Sequence, residues 1–178
     1  MRYFLAIEPD AQTKLKIEHW RDKYLPPFSA PVPAGNFHIT LTFLGQVTEN
    51  QLERLSEKIS QQKLPRQFEL TLNTQGYFAK PKAFWLGSEQ IPDALIKLTG
   101  ITGQAARFAK INIQERRYIP HLTLARKCKT EPPQALLAPE FTTKITEMGL
   151  YESISTQNGV RYPKRFSWKL APGFSHRG

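Results

Sequence analysis

The chain has 178 residues, 40% hydrophobic and 22% charged, which is enough for one ordinary domain, or two small lobes sharing a core, to bury its interior without staples. No apolar run approaches the ~20 residues of a membrane span, the apolar stretch in MRYFLAIEPD is too short for a secretory signal, and Cys128, the lone cysteine, leaves no intrachain disulfide and no cysteine-based metal site; the cytoplasm is the expected compartment. Lys and Arg number 25 against 15 Asp and Glu, a formal charge of +10.

That charge is unevenly spread. Residues 1–60 hold seven basic and seven acidic side chains, so the whole surplus falls on residues 61–178. Such a surplus favours a polyanion, nucleic acid first, although a basic surface that only aids solubility has the same composition.

In chain order, RYFLAIE (2–8) reads as a strand, after which Pro9 and Asp10 open a polar helix with Leu15, Ile17, Trp20 and Tyr24 as its buried set. PPFSAPVPAG (26–35) holds four prolines and reads as loop, because proline gives no ladder donor. FHITLTFLG (37–45) is the next strand. TENQ (48–51) fits a capping box, with Leu52, Leu55 and Ile59 following at helical spacing. FELTLNTQGYF (68–78) and AFWLGS (83–88) read as paired strands around AKPK, and residues 91–110 as a helix weakened by Gly100 and Gly103. IPHLTLAR (119–126) is strand again, TEPPQALLAPE a connector, and residues 141–153 and 160–170 two strands paired through QNG. Strands interleaved with two or three helices predict an α+β fold, and the two halves read as similar lobes.

One pattern occurs twice. HITL at 38–41 returns as HLTL at 121–124, 83 residues later. Two H-x-T-L matches among four histidines are rarer by chance than about one in a thousand. A strand alternates its faces, so His38, Thr40 and Thr42 point one way and Ile39, Leu41 and Phe43 the other; His121 and Thr123 share a face opposite Leu122 and Leu124. A single such histidine would ordinarily be a structural one, and His19 and His176 are read that way. Two copies are better explained by one site.

Two imidazoles with unperturbed pKa near 6.5 suit phosphodiester chemistry: a neutral ring takes a proton from an attacking water and a protonated ring gives one to the departing oxygen. Threonine hydroxyls can donate to phosphoryl oxygens that gain charge in the transition state. Zinc would want further ligands, and no Asp, Glu or Cys stands at either motif; no nucleophile elbow is present either. Arg126 could clamp a phosphate, although strict alternation puts it on the leucine face unless a bulge or the strand end intervenes. Arg116, Arg117 and Tyr118 precede the second motif as a basic pair beside an aromatic ring. Phe43 and Phe4 read as core, or as an aromatic at a cleft lip able to stack a base.

The paired motifs, one continuing as HITLTFLG and the other as PHLTLAR, resemble those of the 2H phosphoesterases, and within them the bacterial and archaeal RNA 2′,3′-cyclic phosphodiesterases, also called 2′-5′ RNA ligases. The similarity extends to RYFLAI, PVPAGNFHITLTFLG, FWLG and LYES. The resemblance implies one bilobal domain over residues 1–178, with two pseudo-symmetric antiparallel-sheet lobes, helices on the outer faces and a central groove lined by the two HxTx strands. It implies His38 as proton donor to the leaving 3′-oxygen and His121 as acceptor that activates water, with Thr40 and Thr123 beside them. Arg126 maps onto the family's arginine, and Tyr118, Phe43 and Arg117 are further candidates for substrate binding. The reaction would leave a 2′-phosphate, and run backwards with an RNA 5′-hydroxyl it would join a 2′-5′ linkage without ATP. No metal or cofactor is implied, the partner is an RNA or oligonucleotide with a 2′,3′-cyclic phosphate end, and the chain is read as a monomer. The rival readings are a non-catalytic RNA-binding module, which would be served as well by Lys or Arg, and a 2H enzyme acting on a cyclic nucleotide, a 2′-5′ oligonucleotide or an ADP-ribose cyclic phosphate.

Overall fold

Residues 2–173 are described by the computed structural model of the chain. They run β1 (Arg2–Ile7), α1 (Ala11–Tyr24), β2 (Ala30–Pro31), a 3₁₀ turn (Ala34–Asn36), β3 (Ile39–Gln46), α2 (Glu49–Ser60), β4 (Phe68–Leu72) and β5 (Thr74–Phe78). There follow β6 (Ala83–Gly87), α3 (Asp93–Phe108), β7 (Leu122–Arg126), β8 (Phe141–Ile145), β9 (Glu147–Thr156), β10 (Gly159–Arg161) and β11 (Lys164–Lys169). The α+β expectation holds.

Nine strands form one antiparallel sheet in the order β10-β9-β1-β3-β7-β6-β5, with β11 also on β9 and β2 also on β7; β4 and β8 pair separately. The sheet has two halves. The first is built on β1, β3 and β9, the second on β5, β6 and β7, and they meet at the bridge between Ile39 of β3 and Leu122 of β7. One face of both halves lies against a continuous apolar core that includes Leu5, Ile7, Ile39, Leu55, Leu86, Leu98, Leu122 and Leu124.

The helices cross between the halves. α1 follows β1, yet its Arg21, only 3% exposed, reaches β7: Nη1 donates to Leu124 O at 2.9 Å and to Val32 O at 2.6 Å. α3 follows β6, yet its Thr102 hydroxyl meets that of Thr42 on β3 at 2.8 Å. α2 packs on α3, with Arg54 and Lys58 both over the Phe108 ring. Each half is thus held by a helix that the other half's strand delivers.

Local signals account for the element starts. Asp10 caps α1 by accepting from Thr13 N at 2.8 Å, and Thr48 with Gln51 forms the expected capping box on α2. Gly159, at φ +113°, sits where the β9–β10 hairpin turns, so the QNG pairing is also as expected.

Several expectations are corrected. Leu15 is 62% exposed; it stands two residues from Ile17, about 200° round the helix, so it cannot share that face. Residues 26–35 are not all loop, because Ala30 and Pro31 pair with Arg126 and Ala125 of β7; β2 is short and lies on an edge, where proline is tolerated. The run 68–78 breaks at Asn73 into β4, which pairs with β8, and β5, which pairs with β6. Residues 141–170 form four strands, with breaks at Thr146, at the Gln157–Asn158 turn and at Tyr162–Pro163, where Glu152 N donates to Pro163 O.

Replacing Arg21 with Met strips a buried donor from two carbonyls, Val32 O and Leu124 O. Arg21→Met is expected to lower unfolding free energy by about 3 kcal/mol, read from the shift of the urea midpoint.

Candidate functional site

The two motifs meet at the junction of the half-sheets. Ile39, Leu41, Leu122 and Leu124 are at most 5% exposed in the core, which turns the intervening polar positions to the opposite face. Antiparallel continuation of the Ile39–Leu122 bridge sets His38 across from Thr123 and Thr40 across from His121. His38, Thr40, His121 and Thr123 are all half-buried.

Each histidine stands one residue before its strand, and each is held in the same way. His38 Nδ1 lies 2.7 Å from Asn36 O, and His121 Nδ1 lies 2.7 Å from Ile119 O. A carbonyl only accepts, so Nδ1 carries the hydrogen in both rings and Nε2 is the nitrogen that gains or loses a proton. Aromatic rings wall both. Phe4 and Tyr162 lie 4.9 and 5.0 Å from the His38 ring, and Phe78 and Trp85 lie 5.1 and 5.8 Å from that of His121. Trp85 lies flat across Gly76, where an added Cβ would fall 2.1 Å from the indole, so that strand position has room only for glycine.

A pair of bulges completes the face. Along β1 the register passes from Ala6–Thr40 to Leu5–Thr42, skipping Leu41. Along β6 it passes from Trp85–Thr123 to Phe84–Ala125, skipping Leu124. Both skipped residues are the fourth of their motif, and each extra residue reverses the alternation beyond it. Thr42 therefore turns inward to Thr102 instead of joining Thr40, and Phe43, 56% exposed, turns out of the core to the histidine face, opposite Phe4 in register. Arg126, five residues after His121 as Phe43 is five after His38, turns to that face in the same way. The bulge resolves the conflict between its expected role and strict alternation. Phe4 is buried as expected, but in a second small apolar cluster with Ala6 and Tyr151 on the histidine face.

Electrostatics follow from this packing. Burial pushes both imidazoles below the ordinary 6.5; the bond to the backbone carbonyl opposes that shift, and the Arg126 guanidinium lowers both again. On His38 two smaller influences act as well, Glu8 raising its pKa and His121 lowering it.

The remaining candidates divide. The Tyr118 hydroxyl donates to Thr40 O at 2.9 Å, and burial pushes its pKa up, so it braces the motif strand as a neutral donor. Arg116 and Arg117 are exposed in an irregular segment, and His19 is exposed on α1. His176 lies outside the described residues. Among the described residues, no group of three or more His, Cys, Asp or Glu side chains is placed to hold a metal ion. A cavity of about 740 Å³ lies elsewhere, between the 63–68 segment and α3. Sequence reasoning missed Tyr162, Phe78 and Trp85; the glycines at 76 and 87 beside the tryptophan were the available hint.

A sheet of two antiparallel halves, each delivering one histidine and one threonine from an H-x-T-L strand to a shared face, is the architecture of the two-histidine phosphoesterases. The profile of the 2′-5′ RNA ligase superfamily matches residues 8–155, and the chain belongs to that superfamily. It is 34% identical over 174 residues to the RNA 2′,3′-cyclic phosphodiesterase of Escherichia coli (strain K12), covering 95% of this chain and 96% of that protein. The enzyme of that name from Thermotoga maritima is 28% identical over 97% of both chains. Among solved structures, E. coli LigT complexed with 3′-AMP superposes with a TM-score of 0.85 at 34% identity, covering 95% of this chain and 97% of that one.

Removing the Arg126 charge should let both rings regain basicity. In Arg126→Ala the pKa values of His38 and His121, followed by the ring proton shifts in NMR, are expected to rise toward 6.5. In the native chain both folded values lie below the unfolded 6.5. Their contribution to stability is therefore complete above about pH 6.5 and declines as the pH falls toward the folded values, which denaturation midpoints across pH 4–8 would register.

Proposed function

We propose that the chain is an RNA 2′,3′-cyclic phosphodiesterase, opening terminal 2′,3′-cyclic phosphates to 2′-phosphates. The observation that carries this reading is the matched pair of imidazoles on one face, each with Nδ1 bound to a carbonyl and Nε2 left as the proton-exchanging atom. The names of the curated relatives and the 3′-AMP complex of the E. coli protein support the substrate class.

In this reading His121, neutral near pH 7, accepts a proton from water as the oxygen attacks phosphorus. His38, protonated, delivers its proton to the 3′-oxygen as that bond breaks, and the 2′-oxygen keeps the phosphate. The assignment of acid and base follows the family resemblance; at His38 the Glu8 charge opposes the larger lowering by burial and Arg126, an influence that is not a factor at His121. Thr40 and Thr123 donate to the phosphoryl oxygens, and the Arg126 guanidinium offsets the charge they gain. Phe43 offers an exposed ring on which the terminal base stacks. With an RNA 5′-hydroxyl in place of water, the same groups in the same roles form a 2′-5′ linkage without ATP: His121 accepts the hydroxyl proton and His38 protonates the departing 3′-oxygen. The unit of function is a single bilobal domain, acting as a monomer in the cytoplasm and needing no metal.

The test is a short RNA ending in a 2′,3′-cyclic phosphate, incubated with the protein in EDTA. A 2′-phosphate product is expected, with His38→Ala and His121→Ala each reducing kcat by about 10²–10⁴-fold. RNA binding that survives both substitutions, with no ring opening by the native chain, would leave a binding module instead.

A further inference from the structure

The surplus of positive charge raises the question of where a longer RNA lies once its terminus is in the site. Two turns at the outer ends of β5, β6 and β7 stand out. The first, Ala79–Lys82, joins β5 to β6; the second, Lys127–Thr130, follows β7 directly after Arg126. They are latched together: Cys128 N donates to Lys82 O at 3.0 Å, and the Tyr77 hydroxyl donates to Cys128 O at 2.5 Å. Pro81 stiffens the first turn. Lys80, Lys82, Lys127 and Lys129 are all exposed on this double turn, continuous with Arg126, and the two turns contain no acidic residue, the next being Glu131.

Lys82 and Lys127 also adopt φ of 56° and 57°. This left-handed region disfavours L-residues and is ordinarily given to Gly or Asn. A third such lysine, Lys110, has a local reason: it follows the end of α3, and its N–H closes the helix on Arg107 O. At 82 and 127 the turns would form more readily with glycine, so side chains kept there against the backbone preference mark a use for the side chain. Four cations with no ion-pair partner among the described residues, on a rigid double turn leading away from Arg126, match a chain of phosphates.

We propose that this double turn is the track for the RNA strand on the 5′ side of the reacting terminus, its four lysines holding successive backbone phosphates. The proposal rests on the function above for the placement of the terminus. Phosphate contacts of this kind add affinity without reading sequence, so the track sets a preference for oligonucleotides over mononucleotides.

The test compares a ten-nucleotide RNA with a mononucleoside 2′,3′-cyclic phosphate. The variant carries Lys80→Ala, Lys82→Gly, Lys127→Gly and Lys129→Ala, and Lys16→Ala on α1 controls for loss of charge elsewhere. Glycine suits both left-handed positions, so the thermal midpoint is expected to hold. Binding of the fluorescent ten-mer, by anisotropy, should weaken at least tenfold at low salt. The slope of log affinity against log salt should become shallower by about 0.7 for each lysine that holds a phosphate. In turnover, kcat/KM should fall for the oligonucleotide and stay within twofold for the mononucleotide. Unchanged ten-mer binding and salt slope would overturn the proposal, as would equal losses on both substrates. Should the native chain open neither substrate, the functional reading falls and with it the placement of the terminus, while loss of ten-mer binding in the variant would still show that the four lysines hold RNA phosphates.

Discussion

The site depends on one constraint: two aliphatic strands lie side by side in one sheet, with the same face on the core, and meet at a single antiparallel bridge. Ile39 and Leu122 form that bridge, and Leu41 and Leu124 anchor the next turn of the pleat. Because side chains alternate across a strand, anchoring the leucines fixes the direction of the residues between them. The histidines and threonines are exposed to a shared face as a consequence of burying their neighbours, so hydrophobic burial supplies the orientation that polar contacts then refine.

The refinement is done by backbone. Each histidine is tied through Nδ1 to a carbonyl two residues earlier, and each strand slips by one residue at its motif leucine. Those slips carry Phe43 and Arg126 to the histidine face, giving one half an aromatic surface and the other a cation at equivalent positions. Arg21 holds the carbonyl of Leu124 at the second slip, and β2 covers the same segment. A buried arginine on the first helix is thereby connected, through one bulge, to the charge that depresses both imidazoles. The crossing of α1 and α3 between halves serves the same end, since neither half can shift without dragging a helix packed on the other.

Burial and charge act together on the two rings. Both lose basicity to burial in the apolar and aromatic walls and to Arg126. The rings differ in smaller influences that act on His38 alone, Glu8 raising its pKa and His121 lowering it. A nearly symmetric frame thus has an electrostatically asymmetric surrounding.

Much of this was legible in the residues. The duplicated H-x-T-L pattern, the aliphatic spacing within it, the capping residues of α1 and α2 and most strand positions follow from local rules, because alternation, capping and turn chemistry each involve residues a few positions apart. The chain alone thereby determined which residues form the pair and which side of each strand they occupy up to the motif leucine. Beyond that leucine it could not, since a bulge is a mismatch between two strands and exists only once β1 or β6 supplies the partner. For that reason Thr42, Phe43 and Arg126 were settled only by the tertiary structure. So were the aromatic walls, drawn from β1, β5, β6 and the segment after β10, and the splitting of residues 68–78 between two sheets. Local sequence specifies the periodicity of a strand; its neighbours decide where that periodicity is broken.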